Sequence, residues 1–275
     1  MRGGGALEDG AIVDEVLAVL GTGRQVAPLT ARDPAFELAD AYRIARTISD
    51  LRAARGERPV GRKIGFTNRS AWPKVRSKAP IWGYMYSTSV FDLGAASRAS
   101  LAGLAEPRIE PEIMFGLAAA PTPDMDERGL AGCVAWVAHG FEIVQSIYPG
   151  WNVLAADAVA GFGMHASAWI GPRHPFAARA DELTRELATF EVELFRDEAA
   201  ADRGHAANVL DGPFSALRAL VAVLAGDAHN PPLAAGEIVT TGSLTHAPPI
   251  AAGEVWTTRT TGASLEGARL ALTAG

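Results

Sequence analysis

Cysteine is almost missing from this sequence: Cys133 stands alone among 275 residues. A single thiol rules out an internal disulfide and, equally, a thiolate metal cluster. Its setting, Gly132-Cys133-Val134-Ala135-Trp136-Val137, is apolar and reads as a buried small hydrophobe rather than a nucleophile. An excess of positive charge is missing too. The 25 Lys and Arg are outnumbered by 31 Asp and Glu, giving a formal net charge of −6. The arginines are scattered, densest over residues 52–62, where a solvated helix end accounts for them. No nucleic acid partner is expected, because neutralising phosphates requires clustered cations.

Long apolar runs are also lacking near the start. Residues 12–20 are interrupted by Asp14 and Glu15, and no basic segment precedes them, so neither a signal peptide nor a spanning helix is expected. The expected setting is the cytoplasm, with no membrane. No Gly-x-Gly-x-x-Gly follows a strand and no Walker sequence occurs, which removes the usual signatures of nucleotide folds. Gly3, Gly4 and Gly5 sit in a polar terminus and read simply as flexible. No repeat of fixed period is visible.

What is present is globular. Hydrophobic residues make up 48% and charged residues 20% of the chain, enough to build one large domain or two unequal ones. From about Leu7 to Arg55 the pattern is helical: Ile12, Val16, Leu17 and Leu20 recur at helix spacing. So do Ala39, Tyr42, Ile44, Ala45, Ile48 and Leu51, entered through Asp33-Pro34 and stopped at Arg55-Gly56. After Pro59 the run from Val60 to Phe66 predicts a strand flanked by glycines. Further strands are predicted over residues 109–117, 140–147, 165–171, 187–195, 237–241 and 255–258, with a helix over 215–224. The expected architecture is α+β: a small helical N-terminal region (residues 1–80) followed by a larger, mixed β-rich domain (residues 81–275).

The segment richest in chemistry is Glu106-Pro107-Arg108-Ile109-Glu110-Pro111-Glu112-Ile113-Met114-Phe115. Residues two apart on a strand share a face, so Glu110 and Glu112 project side by side and repel unless a cation or basic group lies between them. Pro111 cannot donate to a ladder and marks an edge or an irregular opening. A third acid, Glu142, is a lone carboxylate in the apolar strand Gly140-Phe141-Glu142-Ile143-Val144 and needs a partner. A hard dication shared by the three satisfies them all, in the manner of Mg²⁺ or Mn²⁺ rather than zinc. Salt bridges to Arg108, Arg62 or Lys63 satisfy them equally well on spacing alone.

Several segments, taken in order, carry a resemblance: Gly61-Arg62-Lys63-Ile64-Gly65-Phe66-Thr67, Pro80-Ile81-Trp82-Gly83-Tyr84-Met85, Glu110-Pro111-Glu112-Ile113, Phe141-Glu142-Ile143-Val144, Asp157-Ala158-Val159-Ala160 and Gly236-Glu237-Ile238-Val239-Thr240-Thr241-Gly242-Ser243-Leu244-Thr245. Together they resemble the fumarylacetoacetate hydrolase superfamily, in its 2-oxopent-4-enoate hydratase and 4-oxalocrotonate decarboxylase branch. The resemblance implies a homo-oligomeric enzyme of that fold, with Mg²⁺ or Mn²⁺ held by Glu110, Glu112 and Glu142. Lys63 matches a lysine kept near the substrate, and Thr241, Gly242 and Ser243 match a turn lining the pocket. Trp82 and Tyr84 are further candidates to line it, or else core aromatics. The implied reaction is a lyase reaction of the aromatic-catabolism type: a small unsaturated 2-oxo acid chelates the cation, which stabilises an enolate during hydration or decarboxylation. Lys63 adds positive charge or moves a proton.

The sequence departs from that branch at identifiable places. Where hydratases typically continue with Asp-Asn and then a serine, this chain reads Gly161-Phe162-Gly163-Met164-His165. His165 is a candidate proton donor in place of the serine, or a hydrogen-bonded core histidine. Ile81 stands where an acid is often found, and Gln145 where an aspartate often is. These changes point to a different, more apolar substrate or to a different reaction on the same enolate. Asp157 reads as a turn or helix cap, the role of His246 stays open, and Tyr148-Pro149-Gly150-Trp151 reads as a turn or lid. Two alternatives stand beside the lyase. A carbon–carbon hydrolase of acylpyruvates needs a histidine–glutamate pair early in the active domain, whereas the first histidine here is His139. A non-catalytic partner subunit of the same fold is the other.

Overall fold

In the computed structural model the described residues are 8–94 and 97–275. The glycines at positions 3–5 and the helical start at Leu7 lie outside them. Helices α1 (Asp9–Val19), α2 (Leu29–Arg32), α3 (Leu38–Ala54) and α4 (Trp72–Val75) come from the first part of the chain, α5 (Glu127–Gly132) and α6 (Ala155–Ala160) from its middle, and α7 (Ala180–Thr189) and α8 (Pro213–Ala225) from the last third. The strands are β1 (Pro59–Gly65), β2 (Ile81–Tyr86), β3 (Val90–Asp92), β4 (Arg98–Ser100), β5 (Arg108–Leu117), β6 (Val134–Val144) and β7 (His165–Ile170). They continue with β8 (His174–Pro175), β9 (Glu191–Arg196), β10 (Ala199–His205), β11 (Ile238–Thr240), β12 (Val255–Thr261) and β13 (Arg269–Thr273). The α+β expectation holds.

Among the described residues the strands form two sheets. The larger runs in the order β2-β1-β11-β5-β6-β7-β3, with β8 beside β6; the smaller runs β10-β9-β12-β13-β4. Strands β2 and β3 stand at opposite ends of the larger order, yet only residues 87–89 separate them in sequence. So short a connection spans about 14 Å at most. The sheet therefore curls until its ends approach, and β2 comes up against β7.

Alternation along β5 and β6 decides what lies inside that curl. Ile109, Phe141 and Ile143 pack outward against Leu194, Trp256, Leu270 and Leu272 of the smaller sheet. The opposite face carries the acids and continues as Met114, Ala138, Ala168 and Ile170, a small buried cluster with Met85. The helices cover the remainder: Ile12, Val16, Ile44 and Ile48 of α1 and α3 join the main core with Leu217, Leu220 and Leu224 of α8.

Three sequence expectations shift. The helix expected from Asp33-Pro34 begins at Leu38, where the Asp40 carboxylate accepts the Glu37 N–H at 3.0 Å and fixes the first turn. Residues 187–189 are helical rather than extended, because Leu183 and Leu187 form an i,i+4 apolar stripe and both are buried. The division at residue 80 falls between β1 and β2, which pair antiparallel along their length, so the first 80 residues supply a strand of the larger sheet. One stretch among the described residues, Ala206–Ala225, is long and apolar enough to cross a membrane. Here Leu210, Asp211 and Gly212 take positive φ and interrupt it, and the 13-residue α8 that follows lays its apolar side into the core.

Candidate metal centre

The register of β5 against β6 sets Glu110 opposite Glu142 and Glu112 opposite Gly140. Since Glu110 and Glu112 share a face, the three carboxylates converge inside the curled sheet, each offering an oxygen within 4.8 Å of the others. Glu112 and Glu142 are fully buried, and Glu110 opens onto a cavity of about 230 Å³. Arg62 is occupied elsewhere, by Glu237 at 2.6 Å, and Arg108 stacks over Trp151. Of the basic groups proposed as partners, Lys63 alone reaches the acids.

Glu142 is heavily supported. Lys63 Nζ lies 3.1 Å from its Oε1, His165 Nδ1 lies 2.9 Å from the same oxygen, and Thr240 Oγ1 donates to Oε2 at 3.1 Å. Burial disfavours the ionised form, but Lys63 and His165 outweigh it and hold the carboxyl down at about 2. Lys63 is likewise buried against its charge, and Glu142, Glu110 and Glu112 together still raise it above the ordinary lysine value.

The other two acids are under-supported. Glu112 Oε2 accepts the Gly242 N–H at 2.7 Å, while its Oε1 is buried with no hydrogen-bond partner. Burial, with the charges of Glu142 and Glu110, raises Glu112 well above the carboxylate range. Burial pushes Glu110 up to about 7 as well, with Lys63 pulling the other way. An orphaned buried oxygen beside two further carboxylates is the donor set a hard dication fits: oxygen ligands only, with room on the cavity side. Glu110, Glu112 and Glu142 are the residues that would hold it.

Gly242 owes its identity to this site. Its φ is +99°, and a Cβ there would lie 2.4 Å from Thr67 Oγ1. Only glycine turns the chain so that its N–H meets Glu112. A second close approach joins Gly163 to β2: a Cβ on Gly163 would meet Gly83 Cα at 2.8 Å. It presses the 162–164 turn, and Met164 with it, onto the cavity.

Lys63, Gly242 and Ser243 line the cavity as expected from sequence. Others do not. Trp82 is buried in the core, stacked on Tyr42 with ring centroids 5.0 Å apart. Lys63 pairs with Gly83, so the residues of β2 that face inward are Ile81 and Gly83; period two turns Trp82 and Tyr84 to the helices, where Tyr84 donates to Asn230. Thr241 is fully buried with its hydroxyl on the Ile113 carbonyl; its neighbour Thr240 is the residue that meets Glu142. His165 lies behind the acids rather than on the cavity, between Glu142 and the Ser89 hydroxyl, whose oxygen is 2.9 Å from Nε2. It is placed to hold Glu142, not to reach a substrate.

Asp157 caps the turn at Leu154 and holds Thr30 through both backbone and hydroxyl. Gln145 accepts from the Ala105 N–H. His139 is buried against the Glu112 carbonyl and the Thr258 hydroxyl, away from the cavity. The sequence reading missed the apolar wall of the cavity. Phe66, Ile81, Val144, Trp151 and Met164 all line it, and Phe66, Trp151 and Met164 have φ between 56° and 63°. No sequence signal announces left-handed backbone at such bulky residues. The Pro149–Trp151 turn is pinned, since Glu106 accepts from the Gly150 N–H and the Trp151 indole.

No family model matches the chain. It is 32% identical over 226 residues to 2-hydroxyhexa-2,4-dienoate hydratase from Comamonas testosteroni, covering 82% of this chain and 83% of that protein. It is 31% identical over 220 residues to 2-keto-4-pentenoate hydratase from Paraburkholderia phymatum, covering 80% of each. Among solved structures it is similar to 4-oxalocrotonate decarboxylase from Pseudomonas putida G7 complexed with magnesium and adipate. That match has a TM-score of 0.85 at 23% identity, covering 97% of this chain and 98% of the other.

Proposed function

Because the chain belongs to the hydratase and decarboxylase branch of the fumarylacetoacetate hydrolase superfamily, we propose that it is a divalent-metal-dependent lyase acting on small unsaturated 2-oxo acids. The observation that carries the metal is Glu112 Oε1, a buried oxygen without a partner inside a trio of acids. Glu110, Glu112 and Glu142 would hold Mg²⁺ or Mn²⁺, which would supply the positive charge that stabilises enolate character in a bound 2-oxo acid, as both hydration and decarboxylation require.

The chain's own groups do the rest. Gly242 N–H holds Glu112, and Lys63 and His165 hold Glu142, in one orientation before any ligand arrives. Lys63 is the one lysine on the cavity wall, and its raised basicity keeps it charged at neutral pH, where it attracts the substrate carboxylate or moves a proton. Phe66, Ile81 and Met164 give the space beside Glu110 an apolar wall.

The test is calorimetric titration of Mg²⁺ and Mn²⁺ into the protein and into Glu112→Gln, followed by incubation with a panel of dienol and oxo-enoate acids. Ultraviolet absorbance and released CO₂ are recorded. The wild type should bind metal and convert at least one acid; the variant should lose both. Normal metal binding by Glu112→Gln would remove the site assignment.

A further inference from the structure

An enolate and its keto acid interconvert by moving a proton at the carbon next to the carbonyl, so an enzyme that works through an enolate needs a group there able to take a proton up. Among the described residues lining the cavity, Lys63, Glu110 and His246 are the titratable ones. Lys63 keeps its proton at neutral pH; it can give one but not accept one. Glu110 belongs to the cation site. His139 and His165 are bonded elsewhere, off the cavity. His246 is left.

The fold sets His246 for that task. Asp202 Oδ2 accepts the His246 backbone N–H at 2.8 Å and lies 3.0 Å from its Nδ1. Oδ1 of the same carboxylate accepts the Arg203 N–H at 2.8 Å, which fixes the carboxylate in turn. A carboxylate only accepts, so Nδ1 carries the ring proton and Nε2 keeps its lone pair. The turn that carries the histidine is pinned as well. Asn208 donates to the Leu244 carbonyl at 2.7 Å, and Gly204 brings β10 so close that a Cβ there would overlap that carbonyl. The same turn begins at Gly242, whose N–H holds Glu112, so one segment places both the histidine and a metal ligand. Ser243, Thr245 and His246 line the cavity at Glu110 and also an adjoining one of about 340 Å³. The ring is otherwise open to solvent, with which a proton it has taken can exchange.

Resting on the 2-oxo acid reading above, we propose that His246 is the catalytic base of this site and Asp202 its positioning residue. Nε2 takes a proton from the carbon next to the keto group. The C–H electron pair becomes the new C–C π bond, and the carbonyl π pair moves onto its oxygen. Return of a proton from Nε2 reverses the step, and nothing is oxidised or reduced.

Pyruvate, which has such protons but no leaving group, tests this. Wild-type protein in deuterated water with Mg²⁺ should exchange the pyruvate methyl protons, followed by proton NMR. His246→Gln should slow that exchange by about 100-fold or more while calorimetry finds metal and pyruvate affinities unchanged. Asp202→Asn should lose part of the rate, and free imidazole should restore part of it to His246→Gly. A readout independent of turnover is the Cε1–H resonance of His246, identified by its absence in His246→Gln: it should shift when pyruvate and Mg²⁺ are added together. Exchange at the wild-type rate in His246→Gln overturns the proposal, as does metal-dependent pyruvate binding by the wild type without exchange. Absence of any metal-dependent pyruvate binding removes the 2-oxo acid reading itself, and the proposal with it.

Discussion

His165 Nδ1 sits 2.9 Å from Glu142 Oε1 while its Nε2 faces the Ser89 hydroxyl, so a histidine on β7 fixes the orientation of a carboxylate on β6. Outer partners of this kind commonly change metal affinity by about 10–100-fold when removed. His165→Ala should weaken Mn²⁺ binding by that order and leave far-ultraviolet dichroism unchanged. Ser89→Ala, one step further out, should have a smaller effect. Isothermal calorimetry decides, and unchanged affinity in His165→Ala would show that Lys63 and Thr240 suffice.

Lys63→Met removes the cation from a buried pair and leaves Glu142 ionised against its surroundings. Breaking such a pair costs about 3–5 kcal/mol, and the lower end is expected because His165 and Thr240 still bond Glu142. Urea unfolding of metal-free protein measures it. Added Mg²⁺ should recover part of the loss.

The pH dependence follows from Glu110, whose folded value of about 7 lies above its ordinary 4.5. A group raised on folding contributes stability that is present below its unfolded value and lost as pH rises through the folded one. Metal-free protein should thus lose stability between about pH 5 and pH 8 through this group, by about 3 kcal/mol at most. Metal binding displaces the proton, so affinity should climb over the same window. Thermal melts at pH 6 and pH 8, with and without Mn²⁺, check both signs: the metal-induced shift should be larger at pH 8.

Gly242→Ala places a methyl group against Thr67 at a φ of +99°. The strain, about 1–3 kcal/mol, falls on the turn whose N–H holds Glu112. Both melting temperature and metal affinity should drop. Thr67→Ala in the same background relieves the contact but not the φ, and should restore only part of each.

Much of the site was legible because its signals are local. Glu-Pro-Glu in an extended segment places two acids on one face whatever the fold, and the strand readings around 109–117 and 140–147 were enough to bring Glu142 into consideration. Gly242 was placed on the pocket turn by the family resemblance rather than by a local signal. The placements of Trp82 and Thr241 were not legible, because each depends on which way a residue in or beside an alternating strand faces, and a single step of register reverses that; of the two readings of His165, the structure gives the hydrogen-bonded core histidine.

Sequence alone determined the α+β class and singled out three acids that need a positive partner, a metal or a basic side chain, since these follow from period and the cost of burying charge; the choice of the metal came with the family resemblance. Tertiary structure decided the rest. Only the curl of the larger sheet, closed by residues 87–89, brings Lys63 of β1 to Glu142 of β6 and turns Phe66, Ile81 and Met164 onto one wall. Those residues are far apart along the chain, and their meeting depends on strand order and register, which no local pattern encodes.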